Sequence, residues 1–183
     1  MRVIAGRWGG RRLEAPRGRT TRPTSDRVRE ALFAILGELR DVSVLDLFAG
    51  TGALGIEALS RGAGRAVFVE RDPAAAKALT ENLRALEIGP SEGELRRAEA
   101  LQALQSARER AEKYDLVFID PPYRRRPISD RWGPELSALL PPVLDSGARV
   151  VVESDRRTPL ELEMEIELQR RYGDTSITIH RHT

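Results

Sequence analysis

The stretch Gly50-Thr51-Gly52-Ala53-Leu54-Gly55 has the G-x-G-x-x-G spacing, and Glu70 follows Gly50 by 20 residues. Glycines at those places let bare backbone approach a ligand, and an acid about 20 residues further on can hydrogen-bond ribose hydroxyls. The pattern implies an adenosine-containing cofactor, without choosing between NAD and S-adenosylmethionine. Asp46 bears on that choice, because it lies four residues before Gly50 in an otherwise apolar run. A carboxylate there can face the cationic, amine-bearing methionine part of S-adenosylmethionine, and it would repel a pyrophosphate. Asp120-Pro121-Pro122-Tyr123 narrows the chemistry further. Consecutive prolines lack backbone donors and restrict their neighbours, so the carbonyls there stay free and aimed. The exocyclic amine of a base, held by the Asp120 carboxylate and the Pro121 carbonyl, would keep its nitrogen oriented and electron-rich beside a sulfonium methyl. Tyr123 can stack on that base.

Such residues need strand ends to hold them. Residues 42–48 read as a short buried strand leading to Gly50, with a helix over about 53–60 closed by Gly62. A second strand, 66–69, ends at Glu70. Asp72-Pro73 then starts a helix, with Asp as cap and Pro in the first turn, and Ala76, Leu79, Leu83 and Leu86 recur at helical spacing. A weak strand near Leu95 leads to a helix over about 101–110, and 114–119 reads as a buried strand that the Asp-Pro-Pro-Tyr segment terminates. A helix near 131–140 precedes a strand over 149–153. Residues 163–168 and 175–179 form a hairpin around Gly173-Asp174. This alternation predicts an α/β fold: a mostly parallel seven-stranded sheet, helices on both faces, and an antiparallel C-terminal hairpin. Ahead of it, residues 3–13 read as an Arg-decorated β-hairpin with Gly in its turn. A polar connector, 16–23, leads to a helix capped by Thr24, Ser25 or Asp26. The stripe Val28, Leu32, Ile35, Leu39 carries that helix to Leu39.

The 183 residues suit one hydrophobic core, and 40% hydrophobic with 32% charged residues make a globular chain. No run is apolar and long enough for a membrane span or a signal core, so a cytoplasmic protein is expected. There is no cysteine, and both histidines, His180 and His182, fall in the last four residues. That excludes disulfides, thiolate nucleophiles and Cys-ligated zinc, and argues against a His-based triad or any metal site. Chemistry must run on carboxylates, hydroxyls, backbone groups and a cofactor. Residues 1–40 carry ten arginines against four acids, a net of +6, while the rest carries 18 Arg and 2 Lys against 24 acids, a net of −4. A basic arm on a mildly acidic body suggests an anionic partner such as nucleic acid.

Asp46-Leu47-Phe48-Ala49-Gly50-Thr51-Gly52 together with Asp120-Pro121-Pro122-Tyr123 resembles the Rossmann-like methyltransferases that modify exocyclic amines of bases. The segments Arg22-Pro23-Thr24-Ser25-Asp26-Arg27-Val28-Arg29-Glu30 and Leu54-Gly55-Ile56-Glu57-Ala58-Leu59-Ser60-Arg61-Gly62-Ala63 narrow the resemblance. They are similar to the bacterial family that methylates guanine N2 in 16S, small-subunit ribosomal RNA. The similarity runs over nearly the whole chain. It implies a Rossmann-like methyltransferase fold with S-adenosylmethionine held by Asp46, Phe48, Ala49, Gly50, Gly52, Glu70, Arg71, Glu99, Ala100 and Asp120. It implies catalysis at Asp120, Pro121, Pro122 and Tyr123. RNA contacts would fall on Arg7, Arg11, Arg12, Arg22 and Arg27. Residues 1–40 would then be an RNA-binding extension and 41–183 the methyltransferase domain, acting as a monomer on 16S ribosomal RNA or the small-subunit particle. One departure is visible: such enzymes often place Asp or Asn after the third strand to contact adenine N6, and the matching position here is Glu99.

Three other readings compete. An adenine-N6 methyltransferase acting on RNA or DNA could use the same Asp-Pro-Pro-Tyr motif. An NAD-dependent oxidoreductase would need a second substrate domain and a His, Tyr or Lys placed for hydride chemistry, and neither is evident. An RNA-binding module on a degenerate fold would have lost Gly52, Asp120 or Pro122, all of which remain.

Overall fold

Short apolar runs alternate with amphipathic ones, and the chain folds accordingly into seven strands and five helices among the described residues. A computed structural model describes residues 1–15, 25–122 and 129–183, with side chains for all of these except 129–131. Arg22, Tyr123 and the connector 16–23 therefore lie outside the described residues.

The strands β1 (Ser43–Asp46), β2 (Arg65–Val69), β3 (Gly93–Arg96), β4 (Tyr114–Ile119), β5 (Leu144–Asp155), β6 (Glu165–Tyr172) and β7 (Thr175–Arg181) form one sheet in the order β3-β2-β1-β4-β5-β7-β6. The first five in that order are parallel, and β7 pairs antiparallel to both β5 and β6. The helices are α1 (Asp26–Leu36), α2 (Ala53–Ser60), α3 (Pro73–Ala85), α4 (Ala100–Glu109) and α5 (Ser129–Leu139). Because successive strand residues point to opposite faces, Val44, Phe68 and Phe118 pack into one core with α1, α2 and α3, while Leu45, Val67 and Val117 pack into a second with α4 and α5. Covering both faces is what lets these strands be apolar throughout.

Local chemistry sets the helix ends. Asp72 Oδ1 accepts the N–H groups of Ala74 and Ala75, both at 3.0 Å, with Pro73 in the first turn. Ser25 Oγ accepts from Val28 N–H. The expected run of α1 to Leu39 stops at Leu36, because Gly37 takes φ +72 and closes the helix on the Phe33 carbonyl. Leu39 is still fully buried, but from the loop, while Ile35 of the expected stripe is exposed and Phe33 and Leu36 are buried instead. Arg29, on the same helix, is wholly buried, with Nη2 donating to the Arg2 carbonyl at 2.6 Å and to Asp26 Oδ1 at 2.7 Å.

The N-terminal hairpin forms with a single antiparallel bridge, Arg2 to Arg12. Val3, Gly10 and Leu13 N–H close on the Arg11, Val3 and Met1 carbonyls within it, and other amides of the arm are drawn to the helices. Ile4 and Ala5 N–H donate to the buried Glu57 carboxylate at 2.6 and 3.1 Å, and Trp8 N–H donates to Ser60 Oγ at 3.0 Å. Further along, Glu14 N–H donates to Asn82 Oδ1 at 2.7 Å and its carbonyl accepts from Asn82 Nδ2. The arm is thus fastened to α2 and α3 by buried polar side chains, and its Val3, Trp8 and Leu13 join the same core as Phe68 and Phe118.

Candidate active site

Four parallel strands carry an acid at or beside their carboxyl ends: β1 ends in Asp46, β2 one residue before Glu70, β4 one residue before Asp120, and β5 holds Glu153 two residues before its last, level with Asp120. Since β1 lies between β2 and β4, and β4 beside β5, the sheet lines these carboxyls along one edge. In a parallel sheet that edge, outside the carboxyl ends of the strands, is where ligands bind.

The loop after β1 is tied to both neighbours, with Leu47 N–H on the Phe118 carbonyl and Ala49 N–H on the Val69 carbonyl, each at 3.0 Å. Gly50 and Gly52 then take φ +55 and +85. At Gly52 a Cβ would lie 2.3 Å from Leu79 Cδ1, and at Gly55 equally close to the Phe68 ring, so α2 can seat on α3 and β2 only with glycine there. Gly50 differs. An added Cβ would meet nothing nearer than the Phe48 carbonyl oxygen at 4.0 Å, so its backbone faces open space. The Thr51 carbonyl accepts from Asn82 Nδ2 at 2.9 Å, and through that same amide the loop is linked to Glu14 of the N-terminal arm.

Glu70 and Asp46 hold this loop from two sides. Glu70 accepts Gly50 N–H at Oε2 (2.8 Å) and Asp72 N–H at Oε1 (2.6 Å). Asp46, 1% exposed, accepts Gly55 N–H at Oδ2 (3.1 Å), while its Oδ1 has no hydrogen-bond partner among the described residues. Burial pushes the Asp46 carboxyl up to about 7, opposed by the Gly55 N–H and reinforced by the Glu70 charge. Asp120 keeps partial solvent contact, yet loss of hydration, then the charge of Glu153, then that of Asp46 hold its carboxyl well above the usual carboxylate range. Glu153 itself is 5% exposed. Pro121 is buried and Pro122 exposed.

The remaining expected residues divide by position. Phe48 stacks on Trp132 of α5 with ring centroids 4.7 Å apart, forming an aromatic wall beside the loop. Ala49 and Ala100 are buried, the latter as the first residue of α4. Arg71 and Glu99 meet each other, Nη1 to Oε1 at 2.9 Å, on the exposed rim beyond β2 and β3. Arg7, Arg11, Arg12 and Arg27 are exposed. Arg7 pairs with Glu92 at 2.8 Å and lies over the Trp8 ring, and Arg11 donates to the Ala85 carbonyl at 3.1 Å. Glu153, Trp132 and Asn82 were not singled out from sequence. For Glu153 a signal was present: Val150-Val151-Val152-Glu153 repeats the apolar-run-then-acid pattern of Val44-Leu45-Asp46 and Phe118-Ile119-Asp120.

The site fits a cationic, adenosine-bearing group on its own chemistry. Asp46 presents an orphaned, buried oxygen beside open glycine backbone, and three carboxyls crowd where a positive charge would relieve them. Among the described residues no three His, Asp or Glu side chains are placed to hold a metal ion together, and no helix is long and apolar enough to cross a membrane.

The sequence profile of the family described as conserved hypothetical protein 95 matches residues 1–181. The chain belongs to this family. A relative in Bacillus subtilis, YlbH, provisionally named an rRNA methyltransferase, is 38% identical over 99% of this chain and 98% of its own length. Ribosomal RNA small subunit methyltransferase D of Escherichia coli is 42% identical over 68% of this chain, a match that spans 61% of the Escherichia coli protein. The solved structure of YhhF from Escherichia coli, provisionally named a methyltransferase, superposes with a TM-score of 0.81 at 32% identity, over 100% of this chain and 97% of that one. Two more distant chains of the same fold, 16% and 21% identical with TM-scores of 0.69 and 0.70, were solved with S-adenosylhomocysteine and S-adenosylmethionine bound. The Rossmann-like methyltransferase fold expected from sequence is therefore the fold of this conserved hypothetical protein 95 member, and the family resemblance read from its motifs stands.

Proposed function

We propose that the protein transfers a methyl group from S-adenosylmethionine to the exocyclic N2 amine of a guanine in 16S ribosomal RNA. The observation that carries this reading is the position of Asp120: an acid with a raised affinity for protons, at the end of β4, beside the glycine loop of β1 and followed by two prolines. The relatives named above as ribosomal RNA methyltransferases support methyl transfer to ribosomal RNA.

When bound, S-adenosylmethionine supplies an electrophilic methyl carbon on a positively charged sulfur. Asp46 and the Gly50–Gly52 backbone would hold its methionine end, with Phe48 and Ala49 beside them. Glu70 would take the ribose, and Arg71, Glu99 and Ala100 the adenine side. Asp120 would accept an N–H of the target amine, with the Pro121 carbonyl as the second acceptor and Pro122 keeping the turn rigid. Tyr123 would stack on the extruded base. The ionised Asp120 would orient the amine with its lone pair towards the methyl carbon, stabilise the positive charge that gathers on nitrogen as the C–N bond replaces the S–C bond, with S-adenosylhomocysteine leaving, and accept the departing proton. Residues 1–40, through Arg7, Arg11, Arg12, Arg22 and Arg27, would grip phosphates, and 41–183 would carry the transfer. We take the active form as a monomer, working in the cytoplasm on the RNA or the small-subunit particle.

Tritiated S-adenosylmethionine, offered with unmodified 16S ribosomal RNA and with 30S particles, tests the reading directly. Label recovered as N2-methylguanosine is expected. Label in N6-methyladenosine would move the activity to the adenine reading, and absence of label in either substrate would overturn it.

A further inference from the structure

A cavity of about 490 Å³ lies away from the carboxyl cluster, under the segment joining β5 to β6. Its floor is polar and comes from two strands. A register shift between Ile166 and Leu168 of β6 changes the alternation, so that Gln169 and Arg171 fall on the same face as Ile166, opposite Thr178 and Ser176 of β7. Leu160 and Leu162 form the apolar side, both buried in the core shared with α5. The covering segment is fastened at both ends. The Arg156 and Arg157 N–H groups donate to the Asp174 carbonyl and to Asp155 Oδ1, both at 2.8 Å, and Glu163 N–H donates to Ser137 Oγ of α5 at 2.9 Å.

At the floor sits His180, 2% exposed. Its Nδ1 is 3.1 Å from the Met164 carbonyl, which can only accept, so Nδ1 carries the proton and Nε2 is left as an acceptor. Nε2 is buried and has no hydrogen-bond partner among the described residues. Burial holds the ring below the usual histidine range, which keeps it neutral. Gln169 Nε2 donates to Thr178 Oγ1 at 3.2 Å beside it. The mouth carries the exposed Arg156 and Arg171, with Glu161 on one side. Asp155 pairs with Thr175, three residues beyond the Val152–Ile119 level, so the mouth opens on the same sheet edge as Asp120.

We propose that this cavity binds a second, unpaired nucleotide of the substrate RNA, the base entering between Leu160, Leu162 and the polar floor and the phosphate resting on Arg156 and Arg171. Every base offers N–H donors and ring or carbonyl acceptors to the Gln169 amide and the Ser176 and Thr178 hydroxyls that line the cavity above His180, and the apolar wall takes its face. The strand would thus be held on both sides of the extruded target. This rests on the RNA-methyltransferase reading above only for the identity of the polymer.

The chain has two histidines, so 15N-histidine labelling of the full protein gives separate signals for His180 and His182. Adding nucleoside 5′-monophosphates, then a short unstructured oligoribonucleotide, should shift the His180 Nε2 resonance saturably while inorganic phosphate alone does not. The double variant Arg156→Glu, Arg171→Glu changes exposed side chains only. It should raise KM for ribosomal RNA on the order of 10-fold, with S-adenosylmethionine affinity and the single-turnover rate at saturating RNA unchanged. A His180 resonance indifferent to saturating nucleotide and oligonucleotide overturns the proposal, as does an unchanged KM in the double variant. A saturable shift in a protein that methylates no ribosomal RNA supports the nucleotide site and counts against the methyltransferase reading instead.

Discussion

At the end of β2, Glu70 has both carboxylate oxygens engaged by main-chain donors, while two strands away Asp120 shares its surroundings with Glu153 and Asp46 and keeps its proton far more firmly than a free aspartate. One carboxylate is satisfied by the fold itself. The others are crowded by it. A satisfied group is rigid and ready to place a neutral hydroxyl, whereas a crowded acid gains most when a positive charge arrives or a proton leaves. The ribose side should therefore respond to mutation through affinity and stability, and the target side through rate and pH.

The largest effect should come from the crowded side. Asp120→Asn keeps the size and one acceptor but removes the negative charge, so single-turnover methyl transfer should fall on the order of 10²- to 10³-fold. Calorimetry should find cofactor affinity little changed. Equal losses in binding and rate would erase the distinction between the two sides.

Glu70→Ala should weaken S-adenosylmethionine binding roughly 10- to 150-fold, the equivalent of about 1.5–3 kcal/mol for hydrogen bonds to a charged group. From sequence alone this change should leave the fold intact. The structure adds a stability cost, because the Gly50 and Asp72 amides lose their acceptor. Thermal unfolding should show a lower Tm for Glu70→Ala and a smaller drop for Glu70→Gln, which retains one acceptor oxygen.

Asp46 gives a pH signature. Its carboxyl rises from 3.8 to about 7 in the folded chain, so between those values the folded state holds a proton the unfolded state has lost. Stability from this group therefore falls as pH rises through that window and levels off above it. Binding of a cationic cofactor works the other way, since it favours the ionised form. Affinity for S-adenosylmethionine should increase roughly 10-fold from about pH 6 to pH 8, and Asp46→Asn should flatten the profile.

The smallest effect belongs to the basic arm. Arg7, Arg11 and Arg12 replaced by Glu should weaken RNA binding roughly 3- to 10-fold at moderate salt and make its salt dependence shallower, with cofactor affinity unchanged. An unaltered salt slope would remove the arm from the RNA interface.

What could be read from sequence was local. The Gly50–Gly55 spacing, the Asp72-Pro73 helix start and the acid after each apolar run are statements about neighbours in the chain, and the structure keeps all of them. What could not be read depended on distant partners. Leu39 fits the helical stripe of α1, but Gly37 ends the helix first and the loop buries Leu39 instead. Residues 144–148 look polar, yet β5 begins at Leu144 because Tyr114 of β4 pairs with it. Glu57, Ser60 and Asn82 look like ordinary helix-surface residues, and only the return of the arm over α2 and α3 makes them its anchors.

The pH–rate profile of methyl transfer tests most directly whether the crowded acids act on the target amine. Single-turnover rates on ribosomal RNA, with cofactor and RNA saturating, should rise with pH along a limb displaced above the ordinary carboxylate range, as Asp120 ionises within its cluster. The limb should disappear in Asp120→Asn. A wild-type rate flat across the same range, or an identical limb retained by Asp120→Asn, would contradict the role given to Asp120.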